Sequence, residues 1–391
     1  MPSFIESGFT TRVEYEKAMA SGVATSASPV DVMTRPLTKP PAVPPKIKNL
    51  GYTIDTDPRL DKKQASMFSS IGLGGMPSLP PETWTDATTR EEILAFSLPV
   101  EEGFSAVFAA VPQPKLPIEL VHTTEIITGV DGNDITLYIT KPKDAEDVLP
   151  CVYHSHGGAM AFLHAADSAA TSYRERLASE GLCVIGVEFR NCAGKDGLNV
   201  FPAGLNDCSS GLYWVAENRA KLGIGKIILN GESGGGNLAI ATMMKAKQDG
   251  RLDALDGCYA LCPYIAGALN YATPPAYLSS LIENNNVFLA MEMLTPFAKI
   301  YTDDKDANNP LAWPLYATKK ELEGLPPVLI SVNECDPLRD EGMVFGKKLS
   351  EAGNDTSTVC IMGTPHAGDV VVPGAHMDNT MRNISAFAKS L

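Results

Sequence analysis

The sequence predicts an α/β fold with a mainly parallel central sheet flanked by helices. Short, continuously apolar runs (182–189, 226–231, 258–264, 328–334) alternate with stretches long and amphipathic enough to be helices. Strands that are apolar on both faces belong to sheets covered on both sides, and the helices between them supply the cover. The 33 glycines and 29 prolines then place many turns between the elements.

In chain order, residues 1–28 look weakly helical. Residues 29–49 hold six prolines and can be neither helix nor inner strand, so they read as an extended surface arm. Residues 59–77 are helix-like until Ser78–Glu82 breaks them. In 88–98 a threonine precedes a glutamate and an apolar spacing, which is an N-capping pattern. Residues 1–118 carry no chemical pattern and read as an N-terminal cap with a Pro-rich arm. Residues 119–391 read as the larger, α/β domain.

That domain opens with a hairpin, 121–129 and 134–140, around Asp131-Gly132-Asn133. Strands follow at 149–157, 182–189, 226–231, 258–264, 328–334 and 358–362. Helices are expected at 168–180, 207–221, 234–247, 339–352 and 378–390. Residues 265–316 separate two core strands by far more chain than a crossover needs. Their aromatic and methionine content suits either a lid with part of a pocket or a helical elaboration that only packs on the core.

A formal charge of −14 excludes the usual basis of nucleic-acid affinity and disfavours anionic membrane surfaces. The first 22 residues carry Glu6, Glu14 and Glu16 without an apolar stretch, unlike a secretory signal. No run approaches the roughly 18 apolar residues of a membrane span, so a soluble, cytoplasmic protein is expected. The eight cysteines form no C-x-x-C pair and read as reduced thiols in apolar strands.

The chemistry enters with Gly231-Glu232-Ser233-Gly234-Gly235, set between an apolar strand and an apolar helix. A sharp strand-to-helix turn forces the serine into a strained backbone conformation, and its neighbours two residues away must be small. Ser233 is the expected nucleophile. It needs a base, and the order Ser, acid, His leaves His366 and His376. His366, just past the last strand, is the stronger of the two. The acid must end a late strand. Asp336, before Pro337, fits best; Glu334 is the alternative, and Asp340 and Glu341 read as solvated or capping groups. Upstream, His156-Gly157-Gly158-Ala159 follows a strand, where backbone amides can face a tetrahedral oxyanion. Gly158, Ala159 and Gly234 are the expected donors, Gly157 shapes the loop, and His156 is read as structural. Glu232 either stiffens the elbow or is solvated. Asp207 reads as a structural cap of the helix after it.

With these motifs, the chain resembles the hormone-sensitive-lipase family of serine esterases, which have the α/β-hydrolase fold. GESGGGNLAIAT (231–242), LAWPLYAT (311–318) and NECDPLRDEG (333–342) carry a closer likeness to the brefeldin A esterase-like members. The resemblance covers about 118–391 and implies hydrolysis of carboxylic esters or lactones under a helical cap. It implies no cofactor and no metal. The partner would be a small-molecule ester, and nothing sets an oligomeric state. An acyltransferase using the same acyl-serine, or a non-catalytic ligand-binding member, are the alternatives. Two positions depart from the family pattern. The loop usually reads HGGG, and Ala159 replaces the third glycine; its amide is expected to serve if its φ is negative. Pro365 precedes His366 and is expected to stiffen its loop.

Overall fold

The computed structural model describes residues 51–77, 79–85, 87–113, 115–145 and 148–391. The weak helix expected in 1–28 and the Pro-rich arm of 29–49 lie outside the described residues. Strands β1 (Leu120–Thr128), β2 (Asp134–Pro142), β3 (Leu149–Ser155), β4 (Cys183–Val187), β5 (Ile224–Glu232), β6 (Gly257–Leu261), β7 (Val328–Asn333) and β8 (Thr356–Ile361) form one sheet, ordered β1-β2-β4-β3-β5-β6-β7-β8. β2 is antiparallel to both its neighbours, and the strands from β4 to β8 pair in parallel.

The principal helices are α1 (Lys62–Ser70), α2 (Arg90–Ala109), α3 (Ser168–Ser179), α4 (Ala203–Glu217), α5 (Gly234–Gln248), α6 (Met291–Tyr301), α7 (Arg339–Glu351) and α8 (Ala375–Ser390). Successive strand residues point to opposite faces. Val152, Val184, Ile228 and Tyr259 therefore pack with Tyr173 and Leu177 of α3 and Met377, Met381 and Ile384 of α8. Cys151, Tyr153, Ile227, Leu229 and Ala260 pack on the other face with α4, α5 and α7. This two-sided burial is why these strands lack polar alternation. All eight cysteines are free thiols, and seven are buried.

Three elements depart from the sequence reading. β6 stops at Leu261, because Cys262 takes φ +34° and turns the chain into the 265–316 insertion. Helix α2 starts on the expected capping box of Thr89 and Glu92 but runs through Pro99 to Ala109. An internal proline forfeits a backbone bond; here tertiary contacts hold the helix, since buried Glu101 accepts from the backbone N–H of Leu163 and Lys195. Asp207 caps nothing. It lies inside α4, where it receives Arg190 N (2.9 Å), Nε (2.8 Å) and Nη2 (2.8 Å), and Asn133 Nδ2 (3.0 Å). The carboxylate thereby ties the β1–β2 turn and the segment after β4 to α4.

Asp207→Ala removes the partner of a half-buried guanidinium and four accepted hydrogen bonds. Stability is expected to fall by about 3 kcal/mol, as losing one member of a buried ion pair does. A denaturant midpoint shifted by less than a tenth of that amount would show that the network is idle.

Candidate active site

The turn between β5 and α5 is built by the absence of side chains. A Cβ on Gly231 would be driven into the Gly235 carbonyl, and one on Gly235 into the carbonyl of Ser155. A Cβ on Gly234 would lie 2.8 Å from Ala159 N and 2.6 Å from Met160 N. The elbow therefore presses backbone to backbone against the loop that follows β3. Ser233, at its apex, has φ +56° and ψ −119°, a region that disfavours a residue with a Cβ. Its N–H donates to Leu261 O (3.0 Å) and its carbonyl receives Asn237 N and Tyr264 N, so both neighbouring segments hold the strained residue.

Glu232 is the brace of this contact. Its Oε1 accepts from Gly157 N (2.7 Å) and its Oε2 sits 2.9 Å from His154 Nε2 on β3. Burial opposes charge on this carboxyl, but the facing His154 and the Gly157 amide outweigh it and hold its pKa below the ordinary glutamate value. Gly157 thus gives its N–H to Glu232 and shapes the loop. Among the described residues no acceptor takes the N–H of Gly158, Ala159 or Gly234. Gly158 (φ +108°) has no room for a side chain beside the Phe162 carbonyl. The negative φ set as the condition for the Ala159 amide is not met: Ala159 takes +56°, and Met160 after it +57°. The Ala159 N–H is still without an acceptor among the described residues, so it is this freedom, and not the sign of φ, that leaves it available. The tight turn is imposed by Gly158 O receiving Ala161 N and Phe162 N, and by Met160 O receiving Cys192 N. His156 bonds backbone, with Nδ1 2.7 Å from Gly157 O, and stacks on Phe189 at 4.3 Å.

His366 Nδ1 lies 2.7 Å from Asp336 Oδ2. Asp336 is fully buried after β7, and its Oδ1 receives Leu338 N at 2.8 Å. Glu334 instead receives Gly363 N (2.8 Å), and His376 is half-buried in the first turn of α8. The loop of His366 is gripped by Asn333, a residue the sequence reading missed. Its Nδ2 donates to Thr364 Oγ1 (2.8 Å) and its Oδ1 receives Ala367 N (3.1 Å). The Pro365 carbonyl receives Gly368 N (2.9 Å). Asp340 and Glu341 are neither solvated nor caps. Asp340 receives Ser280 N (2.8 Å), and Glu341 receives Ile265 N (2.7 Å) and the Tyr271 hydroxyl (2.9 Å). Both anchor the 265–316 insertion to α7. Burial drives the Glu341 pKa well above the ordinary value.

Ser233, His366 and the 156–159 loop line one cavity of about 160 Å³. The insertion contributes Phe288, Met293, Leu294 and Phe297, and α2 contributes Phe104 and Phe108. Other aromatics of the insertion pack inward, with Tyr264 stacked on Tyr271 at 4.8 Å and both edge-on to Trp313. The middle of this segment thus lines the cavity, while its two ends pack on the core. Helix α1 reaches the site indirectly, through Phe68 against Phe288 at 5.2 Å.

A family model described as the alpha/beta hydrolase fold matches residues 152–368, from the strand before the proposed oxyanion loop to the turn after His366. The chain belongs to the α/β-hydrolase-fold family. A solved brefeldin A esterase, described as a bacterial homologue of human hormone sensitive lipase, superposes with TM-score 0.80 at 38% identity, covering 85% of this chain and 94% of that one. This places the hydrolase in the hormone-sensitive-lipase group. The esterase Est22 matches with TM-score 0.73 and 34% identity over 86% of this chain and 99% of its own. The carboxylesterase NlhH of Mycobacterium tuberculosis is 29% identical over 303 residues, 74% of this chain and 90% of its own. The hydrolase is of the carboxylesterase type. Among its described residues no helix is long and apolar enough to cross a membrane.

A second polar cluster, also missed in the sequence, pins α2 to the loop. His164 Nε2 is 3.1 Å from Glu101 of α2, and its Nδ1 is 3.4 Å from Glu188 and 3.9 Å from Asp196. The bond to Glu188 raises the His164 pKa to about 9. A histidine whose pKa is raised on folding contributes stability in full below its unfolded pKa near 6.5 and loses it as pH passes the folded value. The stability gap between the wild type and His164→Gln is therefore expected to be widest at pH 6 and to close between pH 7 and about 9. Denaturation midpoints of both proteins across pH 6–10 would read it; a gap that widens with pH would reverse the assignment.

Proposed function

We propose that the protein hydrolyses carboxylic esters through an acyl-serine intermediate, with Ser233 as nucleophile, His366 as general base and Asp336 as the orienting acid. The observation that carries this is the buried 2.7 Å bond from His366 Nδ1 to Asp336 Oδ2, on a histidine that shares a cavity with a serine held at positive φ. With Nδ1–H donated to the carboxylate, Nε2 is left to accept a proton.

In the proposed reaction His366 takes the Ser233 proton as Oγ attacks the ester carbonyl, and Asp336 stabilises the imidazolium. The amides of Gly158, Ala159 and Gly234 receive the oxyanion; Gly234 also opens helix α5, whose dipole favours negative charge there. His366 then protonates the departing alcohol. Water then gives a proton to His366 and attacks the acyl carbonyl, and His366 returns that proton to Ser233 Oγ as the C–O bond breaks and the acid leaves. Residues 51–118 and 265–316 act as a cap, and the phenylalanines they contribute favour small to medium apolar esters, lactones among them.

Ser233→Ala is expected to lower p-nitrophenyl butyrate hydrolysis by at least about 10⁴-fold, and Asp336→Asn by about 10⁴-fold through the wrong imidazole tautomer. An organophosphate should add its mass to the Ser233 peptide of the wild type alone. A folded Ser233→Ala protein that keeps its turnover would remove the serine from the mechanism.

A further inference from the structure

The cavity changes character along α3. Ser168, Ser172 and Arg176 all line it. They are spaced i, i+4, i+8 and so form one stripe along the helix, about 12 Å from end to end at 1.5 Å per residue. Burial increases along the stripe. Ser168 is exposed, Ser172 is half-buried and Arg176 is only 8% exposed. An arginine this deep is usually paired with a carboxylate. Arg176 is not: among the described residues its only bonds run from Nε (3.3 Å) and Nη2 (3.2 Å) to the side-chain carbonyl of Gln113. The Gln113 amide in turn donates to Val111 O at 3.2 Å. This arrangement fixes the guanidinium by one edge and leaves Nη1 without a partner. Burial lowers the Arg176 pKa, with the charge of Asp378 opposing it. The other acids of the cavity are already engaged, Asp167 by His164 N (3.0 Å) and Glu232 by His154. In a chain of net charge −14, a positive group that lines the cavity and has no counter-ion among the described residues is a site for an anion that arrives with the substrate.

We propose that Arg176, oriented by Gln113, is the specificity-determining residue of an anion subsite, and that the substrates include esters bearing a second, ionised carboxylate. The planar guanidinium matches a carboxylate through two parallel N–H···O bonds, which lysine cannot reproduce. The proposal rests on the esterase reading above for the reaction it serves, and on the cavity alone for the binding it requires.

Two substrate pairs differ only in a terminal methyl or carboxylate: p-nitrophenyl hexanoate against mono-p-nitrophenyl adipate on the acyl side, and butyl acetate against 4-acetoxybutanoate on the alcohol side. In Arg176→Gln, the ratio of kcat/KM for the anionic over the neutral member is expected to fall ten- to a hundredfold for one pair, the range for losing a charge-assisted bond. Arg176→Lys should recover part of that ratio. Ratios unchanged in both pairs, with both members slowed alike, would assign Arg176 to packing and overturn the subsite. Calorimetric titration of adipate into the Ser233→Ala protein reads the subsite without any turnover. Adipate binding that weakens at least tenfold on adding Arg176→Gln supports it even if the acyl-serine mechanism fails. Equal adipate binding with and without Arg176 refutes it.

Discussion

Every part of the site depends on one steric constraint, the bare backbone contact between the β5–α5 turn and the loop after β3. Gly231, Gly234 and Gly235 let two chain segments approach to a distance that no side chain would permit. That approach puts the unpartnered amides of Gly158, Ala159 and Gly234 in one place. It also leaves Ser233 no backbone conformation but the strained one. The strain is borne by the bonds of Ser233 to Leu261, Asn237 and Tyr264 and by the Glu232 brace, which crosses from β5 to Gly157 and to His154 of β3. In the proposed reaction, donors are effective because they need not move when charge develops, and this frame holds those three amides in place.

The sequence showed those features whose cause is local. The alternation of apolar strands and helices was readable because each element buries its own residues. The glycines around Ser233 were readable because a tight turn excludes Cβ atoms whatever surrounds it. The order Ser233, Asp336, His366 follows from where strands end. What the sequence did not show depends on distant partners. The turn at Ala159 is closed in part by Cys192, more than thirty positions on, whose N–H donates to Met160 O. The burial of Asp340 and Glu341 needs Ser280, Ile265 and Tyr271 from the insertion. The continuation of α2 past Pro99 needs Leu163 and Lys195. Nothing in the sequence marks Arg176; its setting emerges only when Gln113 and the cavity are placed beside it.

His164 and Asp207 play comparable parts in tying loops to helices. Each gathers several oppositely charged or polar partners from segments far apart in sequence. The His164 cluster changes charge as the pH passes about 9, the value to which the bond to Glu188 raises its imidazole. The α2 connection is thus one that alkalinity weakens.

The wall of the cavity and its floor come from different kinds of chain. Phe104 and Phe108 belong to α2, and Phe288, Met293 and Phe297 to the insertion, both of which lie outside the sheet. The elbow, the 156–159 loop and the Asp336 and His366 loops all spring from strand ends. Met293 and Phe297 also belong to the buried core that covers the sheet, whereas Phe104 and Phe108 of α2 are only partly buried, and a change in the strand-end loops disturbs the sheet's own connections. The aromatic wall on α2 is thus the part of the cavity that can be reshaped with least disturbance to the strand ends that carry the elbow and the His366 loop.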